Sequence, residues 1–317
     1  MGKPFHYGGQ AVIEGVMMLG KKGLAMTVRQ PDGRLNTIRQ PLARIYRGRL
    51  REKPFSRGLI SLGETMVLGT RALLRSAEIA AAEEGEEKIH PALLGGTVAV
   101  SVTLAVVLFF LVPLLATRFL IDPFIDSALL SVTLEGLVRI AIFIAYIRVI
   151  GLIPDIRRVF AYHGAEHKTI NAYESGTPLE VEAVRNYPTA HPRCGTSFIV
   201  IVLIIAILVF ALTDVLLGRP PLWIRMLSRI ALIPFIAAIG YEIMKFGAGH
   251  IKNTLVRVII APGLMLQSLT TREPDDGQLE AAISALNEVI AIDEDEPSAN
   301  DTQQAAENET GGELSAS

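Results

Sequence analysis

Leu93-Leu94-Gly95-Gly96-Thr97-Val98-Ala99-Val100-Ser101-Val102-Thr103-Leu104-Ala105-Val106-Val107-Leu108-Phe109-Phe110-Leu111-Val112-Pro113-Leu114-Leu115-Ala116-Thr117 carries no charged side chain. At ~1.5 Å of rise per residue it is long enough to cross a ~30 Å hydrocarbon core, even with Pro113 near its end. Three more apolar runs follow: about Leu137–Ile153, Phe198–Leu217 and about Met226–Met244. Half of the 317 residues are hydrophobic and the mean hydropathy is +0.40, too apolar for an ordinary soluble protein. The fold class is therefore an α-helical integral membrane protein of about four transmembrane helices, and the lipid bilayer is its first partner. Arg148, embedded in the second run, is expected to face protein or to snorkel. Val256–Leu266 is apolar but short and interrupted by Pro262-Gly263, so it reads as re-entrant or interfacial.

Outward from this 93–272 membrane domain, the N-terminal side reads as a small β-rich module over 1–57. Leu24–Gln30 and Leu35–Gln40 flank Pro31-Asp32-Gly33-Arg34, the chemistry of a hairpin turn, and Ala11–Met18 is apolar but alternates poorly. Residues 58–92 read as an interfacial or packed helix, with Leu59, Leu62, Met66 and Leu73 near helical spacing, followed by the acidic run Glu83–Glu87. On the other side, 273–292 reads as a short amphipathic helix (Leu279, Ala282, Ile283, Leu286, Ile290), and the acidic, aromatic-free tail 293–317 as disordered.

Lys and Arg set the orientation. Fifteen lie in residues 1–92, Arg157, Arg158, Lys168, Arg185 and Arg193 lie in the 154–196 connection, and Lys245, Lys252, Arg257 and Arg272 follow the fourth run. Both termini and the 154–196 loop are thus expected in the cytoplasm. The cluster Arg44, Arg47, Arg49, Arg51, Lys53, Arg57 reads as a solvated or lipid-facing patch. Aromatic interleaving is sparse, so a nucleic-acid partner is not expected. With Cys194 as its one cysteine, the chain cannot form an internal disulfide.

The chemistry concentrates in the cytoplasmic loop. His163, Glu166 and His167 read H-x-x-E-H, and on a helix these positions share one face. Two imidazoles one turn apart can grip a divalent ion, zinc foremost, with the carboxylate as base. Gly164 inside that helix lowers its stability, which is odd unless something approaches closely there. Two candidate ligands arrive from elsewhere, His191 before the third span and Glu242 near the end of the fourth, although Lys245 is an alternative partner for Glu242. Arg193 is placed to hold an anionic group. Cys194 is either a thiolate at the site or a small packed residue. Glu174, ~10 Å further along the helix axis, is a substrate contact, a ligand of a second ion, or a solvated carboxylate.

Four motifs give the chain a family resemblance: Gly8-Gly9-Gln10-Ala11-Val12-Ile13-Glu14-Gly15-Val16-Met17-Met18, Tyr162-His163-Gly164-Ala165-Glu166-His167-Lys168, His191-Pro192-Arg193-Cys194-Gly195-Thr196-Ser197-Phe198, and Leu269-Thr270-Thr271-Arg272-Glu273-Pro274-Asp275-Asp276. They resemble the YqhQ-like family of bacterial membrane proteins, a domain of unknown function predicted to be metal-dependent, over nearly all of the chain to about residue 292. The resemblance implies a multi-pass protein of the bacterial inner membrane. It also draws Glu14, Arg272 and Glu273 toward the site as segments that fold over it. The expectation is a metal-dependent hydrolase acting on a peptide, a lipid head group or a lipid-linked phosphate. The alternative is a non-catalytic scaffold or small-solute carrier whose His/Glu cluster is structural, and a homo-oligomer is compatible with either.

Overall fold

The computed structural model describes residues 6–43, 53–81, 91–218, 220–250 and 253–294. Arg44, Arg47, Arg49 and Arg51 of the basic cluster, the acidic run 83–87, Lys252 and the tail beyond residue 294 lie outside the described residues.

Four strands form an antiparallel meander in the order β1-β2-β3-β4: β1 Gly8–Val12, β2 Gly15–Leu19, β3 Gly23–Arg29 and β4 Leu35–Pro41. The hairpin expected around Asp32-Gly33 joins β3 to β4, and the Asp32 carboxylate accepts the Arg34 backbone N–H at 2.9 Å. The apolar stretch Ala11–Met18 is two strands, not one. A two-residue turn at Ile13-Glu14 pairs Val12 with Gly15 and holds Glu14 at φ 53°.

Its poor alternation has a physical cause, because both faces of the sheet are covered. Val12, Met17, Leu24, Met26 and Val28 pack against Leu68, Ala72 and Ile79 of α1 (Ser56–Ala81). Val16, Met18 and Ala25 pack against α5 (Pro154–Glu174) and α10 (Asp276–Glu294). A strand buried on both sides has no polar face to alternate with. The C-terminal helix α10 is thus a core element, with Leu279, Ala282, Leu286 and Val289 fully buried on the sheet. Asp293 at its last turn accepts the backbone N–H groups of Lys21 and Lys22.

Among the described residues, four helices are long and apolar enough to cross a membrane: Gly95–Phe124, Ala128–Ile150, Gly195–Leu216 and Leu222–Gly249. The first comprises α2 (Pro91–Val106), a π-helical turn at Val107–Leu111, α3 (Val112–Leu120) and a 3₁₀ turn. The others are α4, α7 and α8. A short helix, α6 (Val181–Val184), lies in the loop after α5. Val132, Ile201, Ile205, Ala206, Phe210 and Ile236 form the bundle core. The second span begins nine residues before its expected start at Leu137, because Glu135 and Arg139 are buried and paired with each other rather than exposed at a helix end. Arg148 is exposed in the last turn of α4 and faces outward rather than toward protein. Thr254–Thr270 (α9) is one continuous helix through Pro262 and packs against α7, not a segment broken at Pro262-Gly263.

Candidate metal centre

α5 begins with Pro154 at a first-turn position and Asp155 beside it, and ends where Gly176 takes φ 71°. Wedged between the sheet and the loops that follow, it buries residues on several faces, including Glu166, His167 and Lys168. One face carries His163, Glu166 and His167. Their ring and carboxylate positions are fixed from outside the helix.

His163 Nδ1 lies 2.9 Å from the Thr270 carbonyl at the end of α9, and His167 Nδ1 lies 2.5 Å from the Thr189 carbonyl. A carbonyl only accepts, so each Nδ1 carries the proton and each Nε2 is left with a free lone pair. This is how a protein orients imidazoles toward a metal ion. The two rings meet edge-on, 4.4 Å between centroids. Cys194 caps the N-terminus of α7, where its sulfur accepts from the Thr196 N–H at 3.4 Å. His163 Nε2 is 3.2 Å from Cys194 Sγ. One ligand atom from each of His163, His167 and Cys194 lies within 4.8 Å of the others.

Two imidazole nitrogens and a sulfur form a donor set capable of coordinating a metal ion. Glu166 stands beside that set, its Oε2 3.6 Å from His167 Nε2 and 4.0 Å from His163 Nε2. Strand β1 presses on this carboxylate. A Cβ at Gly9 would lie 2.8 Å from Glu166 Cγ and 2.8 Å from the Met17 carbonyl. Gly164 is likewise explained by a close approach, since a Cβ there would meet the Arg272 carbonyl at 2.1 Å.

The remaining candidates lie around this cluster and do not join it. The His191 ring packs 5.7 Å from that of His167, but its Nε2 faces Glu174 at 3.6 Å and Arg193 at 3.5 Å. Burial pushes the His191 imidazole down from its ordinary value, partly opposed by the Glu166 charge. In this arrangement His191 stands beside the cluster, outside the His163–His167–Cys194 group. Glu242 is held by Arg57, whose Nε donates at 2.7 Å and whose Nη2 also donates, and by the Phe55 N–H. Its hydrogen bonds thus go to Arg57 and Phe55 rather than to the alternative partner Lys245, and it lies outside the His163–His167–Cys194 group.

Glu174 is engaged by Arg193 and by His6, which lies 3.3 Å away. Burial lowers the Arg193 guanidinium from its ordinary value. Glu14 does not reach the histidines. It clamps the β1–β2 turn onto α5 through Arg158 Nε and Nη2 at 2.6 and 2.5 Å, and this pair holds the Arg158 guanidinium above its usual range. The Arg272 N–H donates to the Phe160 carbonyl at 2.9 Å, and Glu273 pairs with buried Lys168, so this segment crosses α5 beside Gly164.

Thr189 and Gln267 escaped the sequence reading, and Thr270 and Gly9 entered it only as members of the quoted motifs. Thr189 and Thr270 act through carbonyls, which every residue has. Gln267 did leave a signal, a lone amide after the apolar run of α9. Buried, it accepts from the His191 N–H and donates to the His191 carbonyl, both at 2.8 Å, and to Ser197 Oγ at 2.6 Å.

The chain matches, over residues 53–292, the family described as "Protein of unknown function (DUF1385)". It is 33% identical over 303 residues to "Uncharacterized protein YqhQ" of Bacillus subtilis (strain 168), across 92% of this chain and 94% of that protein. No solved structure matches it.

Proposed function

The chain belongs to the DUF1385 family, and on that premise we propose that it is a metal-dependent hydrolase of the bacterial cell membrane, with its site in the cytoplasm. The observation that carries this reading is the pair of carbonyls that hold both Nδ1 atoms and leave both Nε2 atoms facing Glu166, with Cys194 Sγ 3.2 Å from His163 Nε2. His163, His167 and Cys194 would hold a divalent ion, zinc foremost. A bound ion supplies a water of near-neutral acidity and polarises the scissile oxygen. Glu166 Oε2 takes the proton of the attacking water and returns it to the leaving group. Arg193, seated on Glu174 at the edge of the cluster, is placed to receive an anionic part of the substrate. The H-x-x-E-H pattern favours a peptide over a lipid head group or lipid-linked phosphate. Both termini are placed in the cytoplasm by the Lys/Arg distribution, which sets the site at the inner membrane surface.

Glu166→Gln separates this reading from its alternative. Expected is a loss of ~10²–10⁴-fold in turnover across a panel of peptides, phospholipids and prenyl phosphates, with metal content unchanged, because the base is lost while the ligands remain. A second reading, a non-catalytic protein with a structural ion, is favoured by the burial of the site, with His167 1% and Cys194 7% exposed. It predicts that Glu166→Gln matches wild type in every assay while chelation sharply lowers thermal stability.

A further inference from the structure

The far end of the bundle, ~30 Å along α7 from Cys194 to Asp214, holds a second cluster of charge. Glu135 Oε1 accepts from Arg139 Nη2 at 2.7 Å and from Arg229 Nη1. Asp214 Oδ2 accepts from Arg225 Nε at 2.8 Å. Arg225 Nη1 approaches Asp122 at 3.6 Å, and Asp122 also faces Arg118 at 3.8 Å and accepts from Ser131. The side chains of Glu135, Arg139, Asp214, Arg225 and Arg229 are each more than nine-tenths buried. An intramembrane charge is costly unless matched, so each is expected to have a partner.

Arg229 departs from that expectation. Three other arginines use the side edge formed by Nε and Nη2 to bind a carboxylate: Arg57 on Glu242, Arg158 on Glu14, Arg225 on Asp214. Arg139 uses the same two atoms for the Phe109 carbonyl and Glu135. On Arg229, Nε and Nη2 have no hydrogen-bond partner, as is also true of Glu135 Oε2, and Asp214 Oδ2 stands 4.0 Å from Nη2, too far to bond. Phe210 covers the guanidinium face at 5.2 Å and helps fix its plane. The unfilled edge has the geometry that binds a carboxylate or phosphate through two parallel N–H donors.

Access and charge agree with this. A cleft of about 340 Å³ opens among Arg118, Phe119, Asp122, Ser131, Pro220 and Arg225. Arg225, which lines the cleft, sits one helical turn before Arg229 on α8, and Arg229 itself lies behind the lining. Among the described residues, the linked groups comprise the four arginines 118, 139, 225 and 229, of which Arg118 is exposed, against the three carboxylates of Asp122, Glu135 and Asp214, one positive charge in excess. A monoanion would balance them. Toward the metal centre the bundle core is apolar, with Ile201, Ile205 and Ile236, which suits binding at a dead end rather than passage through.

We infer that this end of the bundle is a binding site for a small oxyanion, a carboxylate or phosphate group, which enters between Arg118 and Arg225 and seats on the Nε/Nη2 edge of Arg229. The test is thermal unfolding of the full chain in detergent. Chloride is replaced at constant ionic strength by acetate or inorganic phosphate, or short-chain phosphatidylglycerol is added. Wild type is expected to gain a few degrees with rising anion, as mass action requires of a ligand that binds the native state. A gain in acetate or phosphate identifies a free anion, and a gain in phosphatidylglycerol alone identifies a lipid head group.

Arg229→Lys keeps a cation for Glu135 but removes the two-donor edge, and its apparent affinity should fall at least tenfold. Should that variant fail to fold, Pro220→Phe, which fills the mouth and leaves every charge in place, should weaken the response instead. His163→Ala/His167→Ala should retain the response in full. Indifference of wild type to all three ligands would overturn the inference. So would an unchanged response in a folded Arg229→Lys or, where that variant does not fold, in Pro220→Phe, and so would loss of the response in the histidine variant.

Discussion

Gly164→Ala is expected to weaken metal binding by about 10- to 100-fold and to cost about 1–3 kcal/mol of stability, although the residue touches no ion. The added methyl would meet the Arg272 carbonyl at 2.1 Å and Thr189 Cγ2 at 3.3 Å. A backbone carbonyl does not swing aside like a side-chain end. The 270–273 segment or the 189 loop therefore moves, and these are the segments whose carbonyls orient His163 and His167. The check is competition of the purified protein against a zinc chelator, with unfolding followed in parallel. Wild-type affinity in a folded variant would show that the carbonyl contacts do not set the imidazoles.

Glu135→Leu should be the most damaging single change in the membrane domain, destabilising it by about 3–5 kcal/mol. It removes the carboxylate that accepts from both Arg139 and Arg229 and strands two guanidinium groups inside the bundle. Denaturant unfolding in detergent reads the loss. Glu135→Leu/Arg229→Met, which removes one stranded cation as well, should recover part of it. Equal stability of wild type and Glu135→Leu would mean that the arginines find water or lipid phosphate unaided.

What the sequence disclosed follows from how local each signal is. The four spans depend on composition along one segment, and all four were legible. The Asp32-Gly33 turn depends on a few adjacent residues and was legible too. H-x-x-E-H spacing is set by the helix itself, and the structure gathers His163, Glu166 and His167 on one face.

Signals that depend on distant partners were not legible. The early start of the second span required knowing that Arg229, 94 residues away, neutralises Glu135. Glu242 resembled a ligand because its partner, Arg57, lies 185 residues back. α10 resembled a peripheral amphipathic helix because the sheet that buries it is at the other end of the chain. The mid-helix glycine at 164 was noticed as an anomaly, but the carbonyl that requires it was not identifiable until the 270–273 segment was in place.

The measurement that tests the metal centre most directly is the metal content of the purified, detergent-solubilised protein, set beside three variants. About one zinc or other divalent transition-metal ion per chain is predicted for wild type. His163→Ala/His167→Ala should lose it, while His191→Ala and Glu242→Gln should keep it. No metal in wild type after reconstitution, or loss on changing His191 or Glu242 equal to loss on changing the histidine pair, would contradict the His163–His167–Cys194 centre.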